Sequence, residues 1–161
     1  MTEVKEATLL DIEVIQDIAN KSWFATYSGI NSDEQNNYMF SKWYSKGSLE
    51  NQILNGQSFW ILHHQNKPVA YASISRANDT QFKLHKIYLL PELQGQGLGK
   101  KLLGFIEEIV KLKGASELLL NVNRNNKAVF FYKNQGYEIL REEDIAFDHY
   151  WMNDYVMRKE L

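Results

Sequence analysis

Apolar and polar residues follow two different periods along this chain. In some runs apolar residues alternate with polar ones, which predicts strands, and in others they recur every three or four residues, which predicts amphipathic helices. The predicted strands cover residues 4–8, 59–64, 69–76, 82–90, 117–122, 137–141 and 150–159. Five predicted helices lie between them, so the order along the chain is βαααβββαβαββ.

Capping residues and glycines mark the ends of these helices. Thr8 or Asp11 can cap the first helix, and Ser32 opens the second. The third helix covers residues 48–55, and Asn125 is expected to cap the fifth. Glycines end the later helices, at positions 56, 114 and 136.

Strands that alternate with helices in this way predict an α/β fold with a mixed sheet covered on both faces. A chain of 161 residues has the size of one domain, so we expect a single domain over residues 1–161. No repeat, linker or low-complexity segment interrupts it.

The charge balance argues against a nucleic-acid partner. The chain carries 18 Lys and Arg residues against 20 Asp and Glu residues, a net charge of −2 at pH 7. A protein that binds nucleic acid needs a basic field, and here the lysines are scattered except for Lys100 and Lys101.

Membrane, disulfide and metal chemistry also find no support in the sequence. No apolar run approaches the ~18–20 residues of a membrane span, and the first residues lack the apolar core of a signal peptide, so we expect a cytoplasmic protein without a membrane partner. The chain has no cysteine, which removes disulfides and thiolate nucleophiles. His63 and His64 are adjacent on a strand and point to opposite faces, so no metal site is predicted.

The glycine-rich segment QGQGLGK, residues 94–100, joins a predicted strand to a strongly amphipathic helix. Its glycines let the backbone approach an anion, and the amides and positive dipole of the helix start point towards that anion. A P-loop would need Gly at position 94 and Ser or Thr at position 101, where this chain has Gln and Lys. The dinucleotide fingerprint G-x-G-x-x-G differs from the G-x-G-x-G spacing found here. The segment therefore predicts a phosphate cradle of another kind.

Gln94, Gly97 and Gly99 match the Q/R-x-x-G-x-G/A pattern of the GCN5-related N-acetyltransferases (GNAT). The preceding strand LHKIYLL, residues 84–90, and the downstream segment NNKAVFFY, residues 125–132, also resemble the motifs of that family. The resemblance covers nearly the whole chain.

The resemblance implies a GNAT-type mixed, mostly antiparallel sheet of about seven strands with a splay between the fourth and fifth strands. It implies acetyl-CoA as the cofactor, with the pantetheine arm inserted in the splay and the pyrophosphate on the glycine loop. The implied cofactor-binding residues are Ile87, Tyr88, Leu89, Gln94, Gly95, Gln96, Gly97, Leu98, Gly99, Lys100 and Asn125.

Acetyl transfer to an amine requires a proton acceptor, an oxyanion donor and an acid for the departing thiolate. Tyr132 occupies the position of the tyrosine that protonates the coenzyme A sulfur in the family, and its alternative role is that of a core tyrosine. A backbone amide near Tyr88 or Leu89 is the expected oxyanion donor.

The proton acceptor is less well defined by the sequence. His85 lies where related enzymes often carry a glutamate, and a histidine can serve as a base. Asp148, His149 and water remain alternatives, whereas Glu107 and Glu108 are expected to be solvated.

The resemblance also implies that the acceptor pocket is built by the first helices and the last hairpin, which are rich in aromatic rings suited to a cationic amine. These rings are Trp23, Tyr27, Tyr38, Trp43, Tyr150 and Trp151. The sequence thus predicts an N-acetyltransferase that acts by direct attack in a ternary complex on a small-molecule primary amine, with a polyamine favoured. A CoA-binding regulatory module without turnover and a protein N-terminal or lysine acetyltransferase remain alternatives, and a homodimer remains open.

Overall fold

The computed structural model describes residues 1–161, and its seven strands form one mixed sheet. The strands are β1 (Thr2–Glu6), β2 (Ser58–His64), β3 (Lys67–Arg76), β4 (Gln81–Leu89), β5 (Glu117–Asn123), β6 (Glu138–Phe147) and β7 (Tyr150–Glu160). The helices are α1 (Ile12–Tyr27), α2 (Asp33–Trp43), α3 (Lys46–Leu54), α4 (Leu98–Leu112) and α5 (Ala128–Asn134). This confirms the predicted α/β class and the predicted order of elements.

The strand order in the sheet is β1-β2-β3-β4-β5-β7-β6. Every neighbouring pair is antiparallel except β4 and β5, which are parallel because α4 carries the chain back to the same end of the sheet. No helix is both long enough and apolar enough to cross a membrane.

The parallel pairing of β4 and β5 covers only the first half of β4. Residues Gln81–Leu84 pair with Glu117–Leu120, and no pair between the two strands follows. Ile87, Tyr88 and Leu89 still pair with β3 on the other side. The two strands therefore diverge beyond Leu84, which confirms the predicted splay.

Helices cover both faces of the sheet, and each face has its own core. On one face α4 and α5 pack through residues such as Leu102 and Ile106, both fully buried. On the other face α1, α2 and α3 pack around Trp23, which is only 2% exposed. The heptad-like apolar face of α4 explains why this helix was the clearest of the predicted elements.

Several element boundaries differ from the predicted ones. β1 covers Thr2–Glu6 instead of residues 4–8, because Thr8 caps the short helical turn that follows it. α3 starts at Lys46, because the Ser45 side chain accepts a hydrogen bond from the Ser48 amide. β6 extends to Phe147, well beyond the predicted residue 141, since its polar second half pairs with β7 on an exposed sheet edge.

A buried pair of tyrosine hydroxyls joins α2 to the sheet. The Tyr44 and Tyr71 oxygens are 2.6 Å apart, and the residues are 3% and 0% exposed. Tyr71→Phe leaves the Tyr44 hydroxyl without this partner, so we expect a loss of about 1–3 kcal/mol in the free energy of unfolding, measured by urea denaturation.

The matched comparison is the double variant Tyr44→Phe/Tyr71→Phe, which removes both polar groups. It should be less destabilised than the sum of the two single variants, because no buried hydroxyl is left unpaired. Strict additivity would contradict the assigned pair.

Candidate active site

The glycine loop between β4 and α4 adopts the geometry of an anion cradle. Gly95 and Gly97 have φ angles of +84° and +79°, in the left-handed region that favours glycine. Gly97 is the N-cap of α4, so the amides of the first helical turn point into the loop.

These amides have no partner in the chain. The first amide of α4 that donates a backbone hydrogen bond is that of Lys101, which bonds to the Gly97 carbonyl at 3.1 Å. A Cβ atom placed on Gly95 or Gly97 would meet no atom within 4 Å, so open space lies in front of the loop. Free amides, a helix dipole and open space together fit a pyrophosphate group.

Beside this loop lies the free edge of β4, formed by Ile87, Tyr88 and Leu89. These residues follow the point where pairing with β5 ends, so their polar groups on that side are available to an extended ligand. An arm lying there would add itself as a strand, as the sequence analysis predicts for pantetheine.

The prediction that Asn125 caps α5 is wrong by one residue, because Asn126 has this role. The Asn125 amide donates to the Asn123 side chain at 2.9 Å, whereas the Asn126 side chain accepts from the Ala128 amide at 2.9 Å. Asn126 is therefore the residue that serves the first turn of α5. The sequence contains two adjacent asparagines, and periodicity alone could not separate their roles.

Tyr132 lies on α5 and is 7% exposed. Its ring contacts those of Phe131 and Tyr137, with centroids 5.4 and 5.7 Å away. Burial raises the pKa of Tyr132 well above its usual range, and the neighbouring Tyr27 adds to this shift. Tyr132 therefore keeps its phenolic proton at physiological pH.

Tyr137 and Glu107 form a polar support behind Tyr132. The Tyr137 hydroxyl donates to the Glu107 carboxylate at 2.8 Å, and Lys159 donates to both oxygens of that carboxylate at 3.1 Å. The Glu107 side chain is only 14% exposed, so the expectation of a solvated Glu107 is wrong. The partner on β7 is distant in sequence, which is why the sequence did not predict this network.

His85 lies at a β-bulge in β4. Ser73 pairs with Lys86 and Ile74 pairs with Leu84, so His85 is the additional residue on β4. Its Nε2 atom is 2.7 Å from the Ser75 hydroxyl. Partial desolvation at the cleft, together with Lys86 and Lys83, lowers the pKa of His85 to about 4, although the residue is exposed at its outer side.

A cleft of about 510 Å³ lies between the sheet and the first helices. Its aromatic wall consists of Trp23, Tyr27, Trp43, Tyr44, Tyr88 and Trp151. Four of the six rings expected at the acceptor pocket are therefore in this wall, and His85 lies at its edge.

The remaining expected rings lie elsewhere: Tyr38 on α2 packs against the turn between β6 and β7, and Tyr150 is the first residue of β7 after that turn. Tyr38 donates a hydrogen bond to Asp148, and its ring centroid is 5.2 Å from that of His149. None of these residues lines the cleft, so Asp148 and His149 stabilise the contact between the hairpin and α2.

The sequence did not predict three charged residues of the cleft, Lys83, Lys86 and Asp154. Burial lowers the pKa of Lys86 to about 8, and its ammonium group donates to Gln52 at 2.6 Å and to Gln57 at 3.3 Å. Burial also raises the pKa of Asp154. The bulge at His85 turns Lys86 towards the cleft. A regular strand, in which side chains alternate between the two faces, would place Lys86 on the opposite face.

Comparison with known proteins identifies the class to which this site belongs. Residues 29–160 match the family described as the acetyltransferase (GNAT) domain. A spermidine N(1)-acetyltransferase of Thermoplasma acidophilum is 31% identical over 143 residues, which cover 85% of this chain and 88% of that protein.

Solved structures agree with this family match. The crystal structure of the PaiA N-acetyltransferase from Thermoplasma acidophilum in complex with coenzyme A is similar with a TM-score of 0.85 and 28% identity, covering 100% of this chain and 99% of that one. A GCN5-related N-acetyltransferase from Rhodopseudomonas palustris has the same fold, with a TM-score of 0.84 at 22% identity, covering 100% and 96%. The chain belongs to the GNAT family of acetyltransferases, and it is an enzyme that uses acetyl-CoA.

The glycine loop makes a direct prediction for cofactor binding. Gly97→Ala places a Cβ at a φ of +79°, which costs about 1–2 kcal/mol for a residue with a side chain, and it narrows the cradle. We expect acetyl-CoA affinity, measured by calorimetry, to fall at least about tenfold, or roughly 1.4 kcal/mol.

Gly104→Ala is the matched control. Gly104 lies within the same helix α4, has an ordinary φ angle and no atom within 4 Å of an added Cβ. This variant should bind acetyl-CoA as the wild type does and unfold at a slightly higher temperature, since alanine favours the helix. Equal affinity of both variants would contradict the assigned cradle.

Proposed function

We propose that this protein transfers the acetyl group of acetyl-CoA to a primary amine of a small molecule, by direct attack within a ternary complex. The observation that carries the proposal is that the glycine loop, the free edge of β4 and the aromatic cleft adjoin one another. A loop of free amides from Gly95 to Lys100 is followed along β4 by the free edge at Ile87 to Leu89, and this edge leads to the aromatic cleft. Bound acetyl-CoA supplies the activated acetyl thioester.

In this proposal the glycine loop from Gln94 to Lys100 holds the pyrophosphate, and Asn125 and the β4 edge hold the pantetheine region. A backbone amide near Tyr88 or Leu89 donates to the acetyl oxygen as charge develops there. The protein groups thus fix the thioester with its carbonyl carbon facing the cleft.

Tyr132 is proposed to protonate the departing sulfur. Its hydroxyl is protonated throughout the physiological range and forms no hydrogen bond within the protein that would hold the proton elsewhere. Its location on α5, near Tyr27 in the wall of the cleft, is consistent with this role.

His85 is the proposed first proton acceptor. Because its pKa is lowered to about 4, it is neutral above about pH 5 and its ring can accept a proton and pass it to water at the mouth of the cleft. A histidine with so low a pKa is a weak base. In this proposal it therefore passes the proton on to water and does not remain protonated.

A polyamine is the first acceptor to test. The similarity to a protein named spermidine N(1)-acetyltransferase supports it, and so do the aromatic rings of the cleft, which attract a cationic amine. The experiment is a thiol-release assay with acetyl-CoA and a panel of polyamines, amino acids, aminoglycosides and peptides. Release only with peptides would favour a protein acetyltransferase, and no release with any amine would favour a CoA-binding module.

The cytoplasmic location expected from the sequence stays a prediction.

The hydroxyl of Tyr132 can be tested by Tyr132→Phe, which keeps the ring and removes the proton donor. We expect kcat to fall by roughly 10²–10⁴, the usual effect of a positioned acid, while acetyl-CoA affinity changes little. Tyr137→Phe is the control, because it removes a hydroxyl from the neighbouring ring and leaves the Glu107 carboxylate with Lys159 only. It should reduce stability but keep the activity of each folded molecule. Wild-type turnover in Tyr132→Phe would assign Tyr132 to packing alone.

The kinetic order provides a separate test of direct transfer. The chain has no cysteine to carry the acetyl group, so double-reciprocal plots at several amine concentrations should intersect. Parallel lines, together with an acetylated enzyme in the mass spectrum that passes its acetyl group to amine, would contradict the ternary complex.

A further inference from the structure

The wall of the cleft contains a single carboxylate, that of Asp154 on β7. In the pairing of β5 with β7, Asp154 lies directly opposite Asn123. Leu120 and Val122 of β5 point into the core under α4, so Asn121 and Asn123 point to the opposite face, towards the cleft. Asp154 therefore projects into the cleft from the β5 side of the splay.

This carboxylate is incompletely satisfied by the protein. Its hydrogen-bond donor is the Asn121 side-chain amide, at 3.3 Å. The nearby guanidinium of Arg124 is bonded to Glu142 and Asp144 on β6, so it is not free to neutralise Asp154. Lys83 is close enough to attract Asp154 but forms no ion pair with it.

Tyr27 connects Asp154 to the proposed reaction centre. Burial raises the pKa of Tyr27, and the Asp154 carboxylate contributes to this rise, so the two groups are neighbours. The Tyr27 hydroxyl is 3.3 Å from that of Tyr88 and also influences Tyr132. Asp154, Tyr27 and Tyr88 of the β4 edge therefore line the same cleft, and Tyr27 is close enough to Tyr132 to raise the pKa of that hydroxyl.

We propose that Asp154 binds the ammonium group of the acceptor and thereby selects cationic amines. The bound ammonium then gives one proton through His85 to water, and the neutral amine forms the C–N bond as the C–S bond breaks and Tyr132 protonates the sulfur. This inference rests on the proposed amine acetyltransferase. A partly desolvated carboxylate without a cation partner, beside the rings of Tyr27 and Trp23, is the pairing that recognises an alkylammonium group.

Polar and charged neighbours on β4, β5 and β6, and Arg124 just after β5, determine how Asp154 responds to pH. Burial raises its pKa and Glu143 adds to the rise, whereas Asn121, Lys83 and Arg124 oppose it. The carboxylate is charged above this raised pKa and neutral below it. Affinity for a cationic amine is therefore present above the raised pKa of Asp154 and is lost as the pH falls through that pKa.

The test compares Asp154→Asn with Asp17→Asn, which removes the same charge from an exposed site on α1. Steady-state kinetics would use propylamine, a cation at neutral pH, and methoxyamine, which is uncharged there. We expect Asp154→Asn to raise KM for propylamine at least about tenfold. Its KM values for methoxyamine and acetyl-CoA should remain near those of the wild type, and Asp17→Asn should leave all three unchanged. Asp154→Glu keeps the negative charge, so its KM for propylamine should lie between that of Asp154→Asn and that of the wild type.

The pH profile provides a second measurement. Below the pKa of Asp154, kcat/KM for propylamine should show an acid limb in addition to the slope that comes from deprotonation of the amine itself. This additional acid limb should disappear in Asp154→Asn and persist in His85→Gln. Equal losses for propylamine and methoxyamine, or an acid limb that disappears only in His85→Gln, would overturn the assignment of Asp154.

Direct binding separates this inference from the proposed function. Calorimetry of propylamine and spermidine into the CoA-saturated protein measures the ammonium site without turnover. Binding to the wild type that is lost in Asp154→Asn supports the site even if no amine is acetylated, in which case the proposed function alone fails. No binding of either cation to the wild type, or equal binding to the variant, overturns the site.

Discussion

The divergence of β4 from β5 is the constraint on which the rest of the structure depends. Parallel pairing stops after Leu84, although both strands continue, so the centre of the sheet contains a gap with unpaired backbone groups on its sides. Buried polar groups of the backbone need partners, and a ligand that lies in the gap can provide them. The glycine loop and the aromatic cleft both border this gap through β4, because the loop follows the end of that strand and Tyr88 of the strand lines the cleft.

The elements that were easiest to predict from the sequence are those with a local cause. The amphipathic period of α4, the caps at Thr8 and Ser32 and the glycine spacing of residues 95–99 each depend on residues a few positions apart, and the structure contains all of these features. The splay, by contrast, followed from the family resemblance, because no local pattern says where two strands that are about thirty residues apart stop pairing. The length of β6 was missed for a similar reason, since its exposed second half is determined by its partner β7.

The parts of the site that escaped prediction depend on contacts between distant elements. In the sequence Asp154 is one of several polar residues on the last strand. Its position towards the cleft follows only from its pairing opposite Asn123. From the sequence alone Glu107 looks like a solvated helix residue, but Tyr137, between α5 and β6, and Lys159 on β7 both donate hydrogen bonds to it. In both cases a charged side chain is held in a partly desolvated position by a neighbour that is far away along the chain, and such pairs carry no signature in a single sequence.

The bulge at His85 changes how densely β4 can present side chains. A regular strand offers one side chain to each face for every two residues, yet here Lys83, His85 and Lys86 all border the cleft while Leu84 and Ile87 keep their contacts with the opposite core. Because His85 has no residue opposite it on β3, its side chain can be exchanged without changing the register of the strand. Among relatives that keep the same scaffold, this position offers a route by which the chemistry at the mouth of the cleft can diverge while the cofactor site stays fixed.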